Sequence, residues 1–345
     1  MTDQSDERTR GPSRRVEDAR AGMPDAPTLP SEEIAHEADP IAPPRQEKQR
    51  EGSLWGDAWR DLRGNPLCIV SAVIMVIFVL MAYFPSLYTW FYPGDPNPRH
   101  CLLSRSLQRP DATHWFGFDL QGCDYYARSV YGAKVSLSIG LLVTGFAFVI
   151  AVTLGSVAGY YGGLVDTLIA RMTDIWFAIP VILGGVVILA TLRDRTILGI
   201  NLGQRGLMQV SLVLILLGWP TMLRLMRSQV IQTKEADYVE AARALGARDL
   251  RIITRHILPN AISPVIVYAT ITVGIIITAE AALSFLGVGL QLPAVSWGLM
   301  INGAQDRILQ TPHLLFFPAI FLSLTVFSFI LMGDALRDAF DPKLR

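Results

Sequence analysis

Long apolar runs separated by polar segments dominate the chain from about residue 66 onward. The runs of spanning length lie near Leu67–Trp90, Val135–Tyr160, Ile175–Leu192, Leu207–Leu225, Ile262–Leu283 and Leu314–Met332. A helix of about 20 apolar residues crosses the roughly 30 Å of hydrocarbon in a bilayer. The pattern therefore predicts an all-α polytopic membrane protein with six transmembrane helices in residues 66–345.

The first 65 residues differ from this pattern. Residues 1–52 are rich in Pro, Gln and charged residues and nearly lack aromatic side chains. Such a segment buries too little apolar surface to offset the entropy of ordering, which predicts a disordered tail, either a solvated extension or a partner-binding segment. In residues 53–65, Trp55 and Trp59 share an apolar stripe opposite charged residues, as is typical of an amphipathic helix at the membrane interface.

Composition narrows the function. With 51% hydrophobic and 17% charged residues, the chain is too apolar for an ordinary soluble domain. A formal net charge of zero argues against a nucleic-acid-binding protein. The sequence also lacks a phosphate-binding Gly-rich loop, paired His and Glu at metal spacing, and a Gly-x-Ser-x-Gly turn. These absences predict that the chain is not an enzyme and carries no cofactor of its own.

Basic residues predict the orientation in the membrane. The connection between the fourth and fifth runs holds the densest cluster, namely Arg224, Arg227, Lys234, Arg243, Arg248, Arg251 and Arg255. Lys and Arg near spans favour the cytoplasmic side, so this connection and both termini are predicted to be cytoplasmic. Residues 91–134 and 284–311 then form external loops, although 91–134 also carries arginines.

One polar segment, Tyr238–Asn260, stands out between the apolar runs. Asp237 followed three residues later by Glu240 predicts a helix start with the logic of a capping box, and Gly246 predicts its left-handed end. Val239, Ala242 and Leu245 fall on one helical face. Spacing alone is compatible with a short amphipathic peg or with a solvated loop that has no partner.

Several motifs in this order resemble ABC importer permeases. Glu240-Ala241-Ala242, Gly246 and the close at 256–260 are similar to the EAA loop of the dipeptide/oligopeptide/nickel permease family, and the stretches at 283–287 and 296–298 match the same family. The resemblance implies a type I ABC importer permease fold and a coupling loop, residues 227–260, that docks on a cytoplasmic ATPase. The coupling residues it implies are Tyr238, Glu240, Ala241, Ala242, Leu245, Gly246 and Arg248.

The same resemblance implies the assembly. It includes a homologous second permease, two ATPase subunits that bind ATP and Mg, and an extracytoplasmic substrate-binding protein or lipoprotein, all at a bacterial plasma (inner) membrane. Dipeptides, longer peptides, glutathione-like compounds and nickel chelates all fit the family as substrates. A secondary transporter, the main alternative, would need an ionisable residue near the midplane, and no convincing one is found in the runs.

The two cysteines of the external loop, Cys101 and Cys123, are candidates for a disulfide, with free thiols as the alternative because spacing does not establish their approach. Cys123 stands where the family signature usually has Arg. Near the third run, Asp166, Arg171 and Asp174 are either gate or pathway charges or a structural pair, since Arg171 and Asp174 have ion-pair spacing.

The last candidate is the external loop that follows the fifth run. Its many Gly and Pro residues predict an irregular backbone, and irregular backbone cannot cross the bilayer where it is exposed to lipid. The loop is therefore expected to fold over the mouth of the pathway. Trp297, with Gly298, is predicted to dock the binding protein, because large aromatic side chains concentrate binding energy. The competing interpretation is that Trp297 only packs the loop onto the bundle.

Overall fold

A computed structural model describes residues 62–192 and 206–340, together with Gly56, Arg60 and two short strands in the intervening connection. The predicted tail at 1–52 and most of the predicted interfacial helix at 53–65 lie outside the described residues. In chain order the helices are α1 (Pro66–Tyr83), α2 (Pro85–Thr89), α3 (Tyr125–Tyr161), α4 (Gly163–Phe177), α5 (Val181–Leu192), α6 (Gly206–Gly218), α7 (Pro220–Lys234), α8 (Asp237–Ala244), α9 (Asp249–Ile252), α10 (Leu258–Ala261), α11 (Ser263–Phe285), α12 (Trp297–Ala304) and α13 (His313–Phe340).

Among the described residues, four single helices are long and apolar enough to cross a membrane, namely α1, α3, α11 and α13. Two bent pairs meet the same test together: α4 with α5, at 79°, and α6 with α7, at 41°. Counting each pair as one span gives the six predicted spans, by length and composition. Within residues 66–340, the described residues also form a π-helical turn at Ile253–Ile257, two 3-10 turns, and the antiparallel strands β1 (Thr196–Ile197) and β2 (Ile200–Asn201).

Proline and capping residues shift several predicted boundaries. The first apolar run breaks before Pro85, whose ring cannot continue α1, so that helix ends at Tyr83 rather than near Trp90. At the other end of the external loop, the Asp124 side chain accepts a hydrogen bond from Ala127 N at 3.0 Å and caps α3. The predicted loop 91–134 is therefore too long, because its last ten residues are helical.

The long helix α3 lies at the centre of the bundle. It contacts α1, α4, α6, α7 and α11. It packs closely on α7, where a Cβ on Gly155 would lie 2.9 Å from Met226 Cβ and one on Gly159 would lie 2.8 Å from Val230 Cβ. Only glycine permits this separation of the two backbones, as in other membrane helix pairs with small residues at the contact.

Two apolar clusters lie at opposite ends of α3. One surrounds Trp297 and includes Phe78 and Leu137, next to the start of α3. The other joins Met226 and Val230 to the buried side chains of the polar segment at 237–260. The segment at 237–260 and the loop that holds Trp297 are thus each packed onto the same helix.

Candidate coupling segment and external lid

The short helix α8 begins differently from the prediction. Its N-cap is Ala236, which makes no side-chain capping bond, and the predicted capping box of Asp237 and Glu240 is wrong. The carbonyl of Ala236 already accepts from Val239 N at 2.9 Å, so Asp237 lies one residue too late to cap. Both acidic residues occupy the first turn, where a negative charge is favourable to the helix dipole.

The end of α8 follows the prediction. Gly246 has φ of +80°, and its N–H donates to Arg243 O at 3.0 Å. Ala247 N donates to Ala242 O at 3.1 Å, which completes a Schellman motif. The left-handed glycine predicted from the sequence is therefore confirmed, and it sets the direction in which the chain leaves the helix.

The faces of α8 separate inner from outer residues. Val239 is fully buried and Ala242 nearly so, whereas Leu245 is 89% exposed. The spacing predicted that Leu245 lies on the same face as Val239 and Ala242. It does not, because it occupies the C-cap, where the chain turns outward. Leu250, which the sequence analysis did not single out, is 72% exposed. The other predicted coupling residues with exposed side chains or backbone are Tyr238, Glu240, Ala241, Gly246 and Arg248.

Polar contacts fasten this segment to the bundle. The hydroxyl of Tyr160, in the last turn of α3, donates to Asp249 Oδ1 at 2.7 Å. Lys234 Nζ donates to the carbonyl of Tyr160 at 2.6 Å. Tyr238 is held as well, since Asn260 Nδ2 donates to its hydroxyl at 3.1 Å. The part of the segment that carries the exposed side chains of Leu245 and Leu250, called the tip below, is therefore flanked by residues that are hydrogen-bonded to α3.

The predicted ion pair of Arg171 with Asp174 is present near the third span, and two cross-helix pairs accompany it. Arg171 lies 3.6 Å from Asp174, but the shorter contact of Asp174 is with Arg224, at 2.6 Å. Asp166 is held by two nitrogens of Arg227, with Nη2 at 2.6 Å from Oδ2. These cross-helix pairs tie α4 to α7, and the sequence missed them because their partners are 50 and 61 residues apart. A gating role for these charges stays a prediction.

The loop after α11, residues 286–312, forms a lid that includes α12. Trp297 is fully buried in it, with its ring edge-on to Phe78 at 5.8 Å and its N–H donated to Ser129 O at 2.9 Å. A side chain without exposed surface offers nothing to a docking protein, so the docking prediction for Trp297 is wrong. Gly298 is also a packing position, since a Cβ there would lie 2.5 Å from Ala281 Cα.

Under the lid lies a carboxyl that the sequence analysis missed. Glu280 is fully buried in α11 and accepts hydrogen bonds from Ser136, Ser284 and Ser296. It lies five residues before the end of α11, so it does not contradict the expectation that no run holds a convincing ionisable residue near the midplane. The available signal was that Glu280 is the only charged residue between Ser263 and Phe285.

The loop between α2 and α3 is held by a disulfide between Cys101 and Cys123. Beside it, Asp119 Oδ1 accepts from Cys123 N at 2.9 Å, and its other oxygen pairs with the largely buried Arg128. Asp124, the α3 cap, also accepts from the Tyr92 hydroxyl. Burial raises the pKa of the Asp124 carboxyl, although these hydrogen bonds favour its charged form.

Known proteins share both the sequence and the architecture. Residues 151–345 match the family described as binding-protein-dependent transport system inner membrane component, and residues 53–110 match the N-terminal transmembrane domain of oligopeptide transport permease C. The dipeptide transport system permease protein DppC of Alkalihalophilus pseudofirmus is 40% identical over 307 residues, covering 89% of this chain and 96% of the relative. The oligopeptide permease OppC of Bacillus subtilis is 36% identical over 293 residues, covering 85% and 91%.

A third relative and a solved structure extend the comparison. The glutathione transport system permease protein GsiD of Escherichia coli is 34% identical over 313 residues, covering 91% of this chain and 97% of the relative. An inward-facing structure of the MetNI methionine ABC transporter matches with a TM-score of 0.50 and 22% identity, covering 61% of this chain and 96% of that one, which shows the fold. The chain therefore belongs to the family of binding-protein-dependent transport system inner membrane components, and it is a multi-pass permease subunit of the ABC importer type.

Proposed function

We propose that this subunit pairs with a second, homologous permease to form the path of an ATP-driven peptide importer in a bacterial plasma membrane. Its relatives support a peptide substrate, since they are permease proteins of dipeptide, oligopeptide and glutathione transport systems, and glutathione is itself a tripeptide. Both termini and the coupling segment face the cytoplasm in this proposal. An extracytoplasmic substrate-binding protein delivers the peptide on the opposite side.

The observation that carries the proposal is the exposed apolar tip of the coupling segment. Leu245 and Leu250 are left uncovered beside a helix whose inner face is packed onto the bundle. Exposed apolar side chains beside short helices suit a groove on another protein. In this proposal the groove belongs to an ATPase subunit, which binds ATP and Mg and performs hydrolysis, whereas this chain binds neither.

The contacts of the segment suggest how motion would be passed on. The tip is continuous with Asp249, which is bonded to Tyr160 at the end of α3. Asp166 and Arg227 join α4 to α7 beside it. A displacement of the tip by the ATPase pair would therefore move several spans together, as in a rigid-body rocking between inward-open and outward-open arrangements.

One observation favours a second candidate, a secondary transporter driven by an ion gradient. Glu280 is a fully buried carboxyl within a span, and such residues often mark proton pathways. Its location weakens this reading, because it lies five residues before the end of α11, about 7.5 Å along the helix from its last residue, and not near the middle.

Reconstitution separates the two candidates. The permease pair, its two ATPase subunits and its binding protein are placed in vesicles, and uptake of a labelled peptide is measured with or without internal ATP, with the proton gradient collapsed. The proposal predicts uptake that requires ATP and continues without a gradient. Uptake that needs a gradient and ignores ATP would overturn it. Glu280→Gln is the matched variant, because it removes the titratable group and should leave ATP-driven uptake intact.

A further inference from the structure

Glu280 lies where three parts of the molecule meet. Ser136 belongs to α3, Ser284 lies one turn further along α11, and Ser296 begins α12 in the lid. Their hydroxyls lie 3.2, 2.8 and 3.0 Å from the Glu280 carboxyl oxygens, respectively. In residues 62–192 and 206–340, these three hydroxyls are the polar partners of Glu280. A single carboxyl therefore connects the lid with two spans.

The directions of two of these hydrogen bonds are fixed by their surroundings. Ser296 Oγ accepts from Leu299 N at 3.2 Å, and Ser284 Oγ accepts from Leu290 N at 3.2 Å. A hydroxyl has one proton to donate, and neither backbone N–H can accept it. Both protons therefore point to Glu280 Oε1, which acts as an acceptor. The same two hydroxyls also hold the backbone at both ends of the 290–299 stretch.

The seat of the lid determines the shape of the outer end of the bundle. A cavity of about 190 Å³ lies between the lid and the start of α3. Val295, Leu299 and Met300 line it from the lid, directly beside the Ser296 contact, and Tyr125 and Arg128 line it from α3. A lid displaced from Glu280 would therefore change this cavity and the surface around it.

We propose that Glu280 is a positioning residue for transport: it seats the lid on α3 and α11 and so presents the outer surface to the substrate-binding protein. The second half rests on the proposed function, whereas the first half does not. Trp297 and Gly298 pack the start of α12, with the Trp297 N–H bonded to Ser129 O in α3, and Glu280 adds a hydrogen-bonded link from Ser296 at this start to both spans. In a buried network of this kind, each hydroxyl needs its hydrogen-bond partner for the side chains to keep a single arrangement.

Three variants of the assembled transporter test the seat of the lid by amide hydrogen exchange. In Glu280→Ala the lid amides between 287 and 304 should exchange about tenfold faster, because the hydroxyls lose their common acceptor. Glu280→Gln should match wild type, since its amide oxygen can accept from Ser284 and Ser296 while its nitrogen donates to Ser136. Ser129→Ala is the control: that hydroxyl is equally buried, but its partner among the described residues is Tyr125 O, at 2.8 Å, within its own helix.

Unchanged lid exchange in Glu280→Ala, or equal acceleration in Ser129→Ala, would overturn the proposal. If Glu280→Ala does not assemble, Ser136→Ala replaces it, because it removes only the contact with α3. This variant should accelerate lid exchange about threefold, and wild-type exchange would refute the seat.

The functional half is measured on the same preparations. Binding protein loaded with peptide should stimulate ATP hydrolysis with a half-saturating concentration raised about fivefold in Glu280→Ala, with unchanged maximal and basal rates, as expected for weakened docking. A looser lid with unchanged half-saturation would refute the presentation role. Absence of any stimulation in wild type would instead count against the proposed function, and the exchange result for the lid would stand apart from it.

Discussion

Truncation of Trp297 should destabilise the permease without acting through a docking surface. The side chain is fully buried, its ring is edge-on to Phe78 at 5.8 Å and to Phe321 at 6.2 Å, and its N–H is bonded to Ser129 O. Trp297→Ala removes a large apolar group and leaves a cavity between α1, α3, α13 and the lid. Such truncations cost about 3–5 kcal/mol in well-packed cores.

A second substitution divides this cost. Trp297→Phe keeps an aromatic ring in the slot and removes the indole N–H, so its expected cost is about 1–2 kcal/mol, from one hydrogen bond and a smaller ring. Trp90→Ala is the matched control, because Trp90 is 81% exposed. A change at an exposed site of this kind should stay within about 0.5 kcal/mol.

The assay is the thermal or denaturant midpoint of the assembled transporter, with the affinity for its binding protein measured on the same sample. The packing account predicts the order Trp297→Ala, Trp297→Phe, then Trp90→Ala in loss of stability. A Trp297→Ala variant that melts like wild type but binds the binding protein more weakly would refute the packing account and restore Trp297 as a docking anchor.

Three further experiments test the coupling role of Gly246, the disulfide and the pair between α4 and α7. Gly246→Val has open space for its side chain but a φ of +80°, so about 1–3 kcal/mol of local strain should lower ATP-driven uptake in an assembled complex; wild-type uptake would exclude a coupling role. Alkylation and mass spectrometry of non-reduced protein should recover Cys101 and Cys123 as a disulfide-linked pair; two alkylated thiols would contradict it. Asp166→Asn should lower the melting temperature. The double variant Asp166→Arg with Arg227→Asp, which exchanges the two charges, should melt higher than Asp166→Arg alone; equal melting temperatures would exclude the pair.

The sequence predicted the features that depend on neighbouring residues. Apolar runs located the six spans, because burial in lipid imposes length and composition on each segment separately. Gly246 marked the end of α8 for a similar local reason, since a left-handed residue favours glycine. The start of α8 was missed, because the backbone of Ala236 began the helix one residue before the acidic side chains.

The missed features depend on contacts between distant parts of the chain. Asp174 has a nearby basic neighbour in sequence, yet its closer partner is Arg224, which only the packing of α4 on α7 brings near. Similarly, the sequence placed Trp297 in an external loop, and an external position was taken to mean an exposed ring. The fold instead turns the ring inward onto α3, where a Cβ on Gly132 would lie in van der Waals contact with it, at 3.4 Å.

The most direct test of the central claim is cross-linking between this chain and the ATPase subunit. Leu245→Cys lies on the exposed tip, whereas Ala242→Cys, one turn earlier, faces the bundle. The free thiol of Cys68 is first replaced. The account predicts that a short thiol cross-linker joins Leu245→Cys to a cysteine in the ATPase groove and does not join Ala242→Cys. Equal cross-linking of both positions, or none from Leu245→Cys in a complex that still imports peptide, would contradict it.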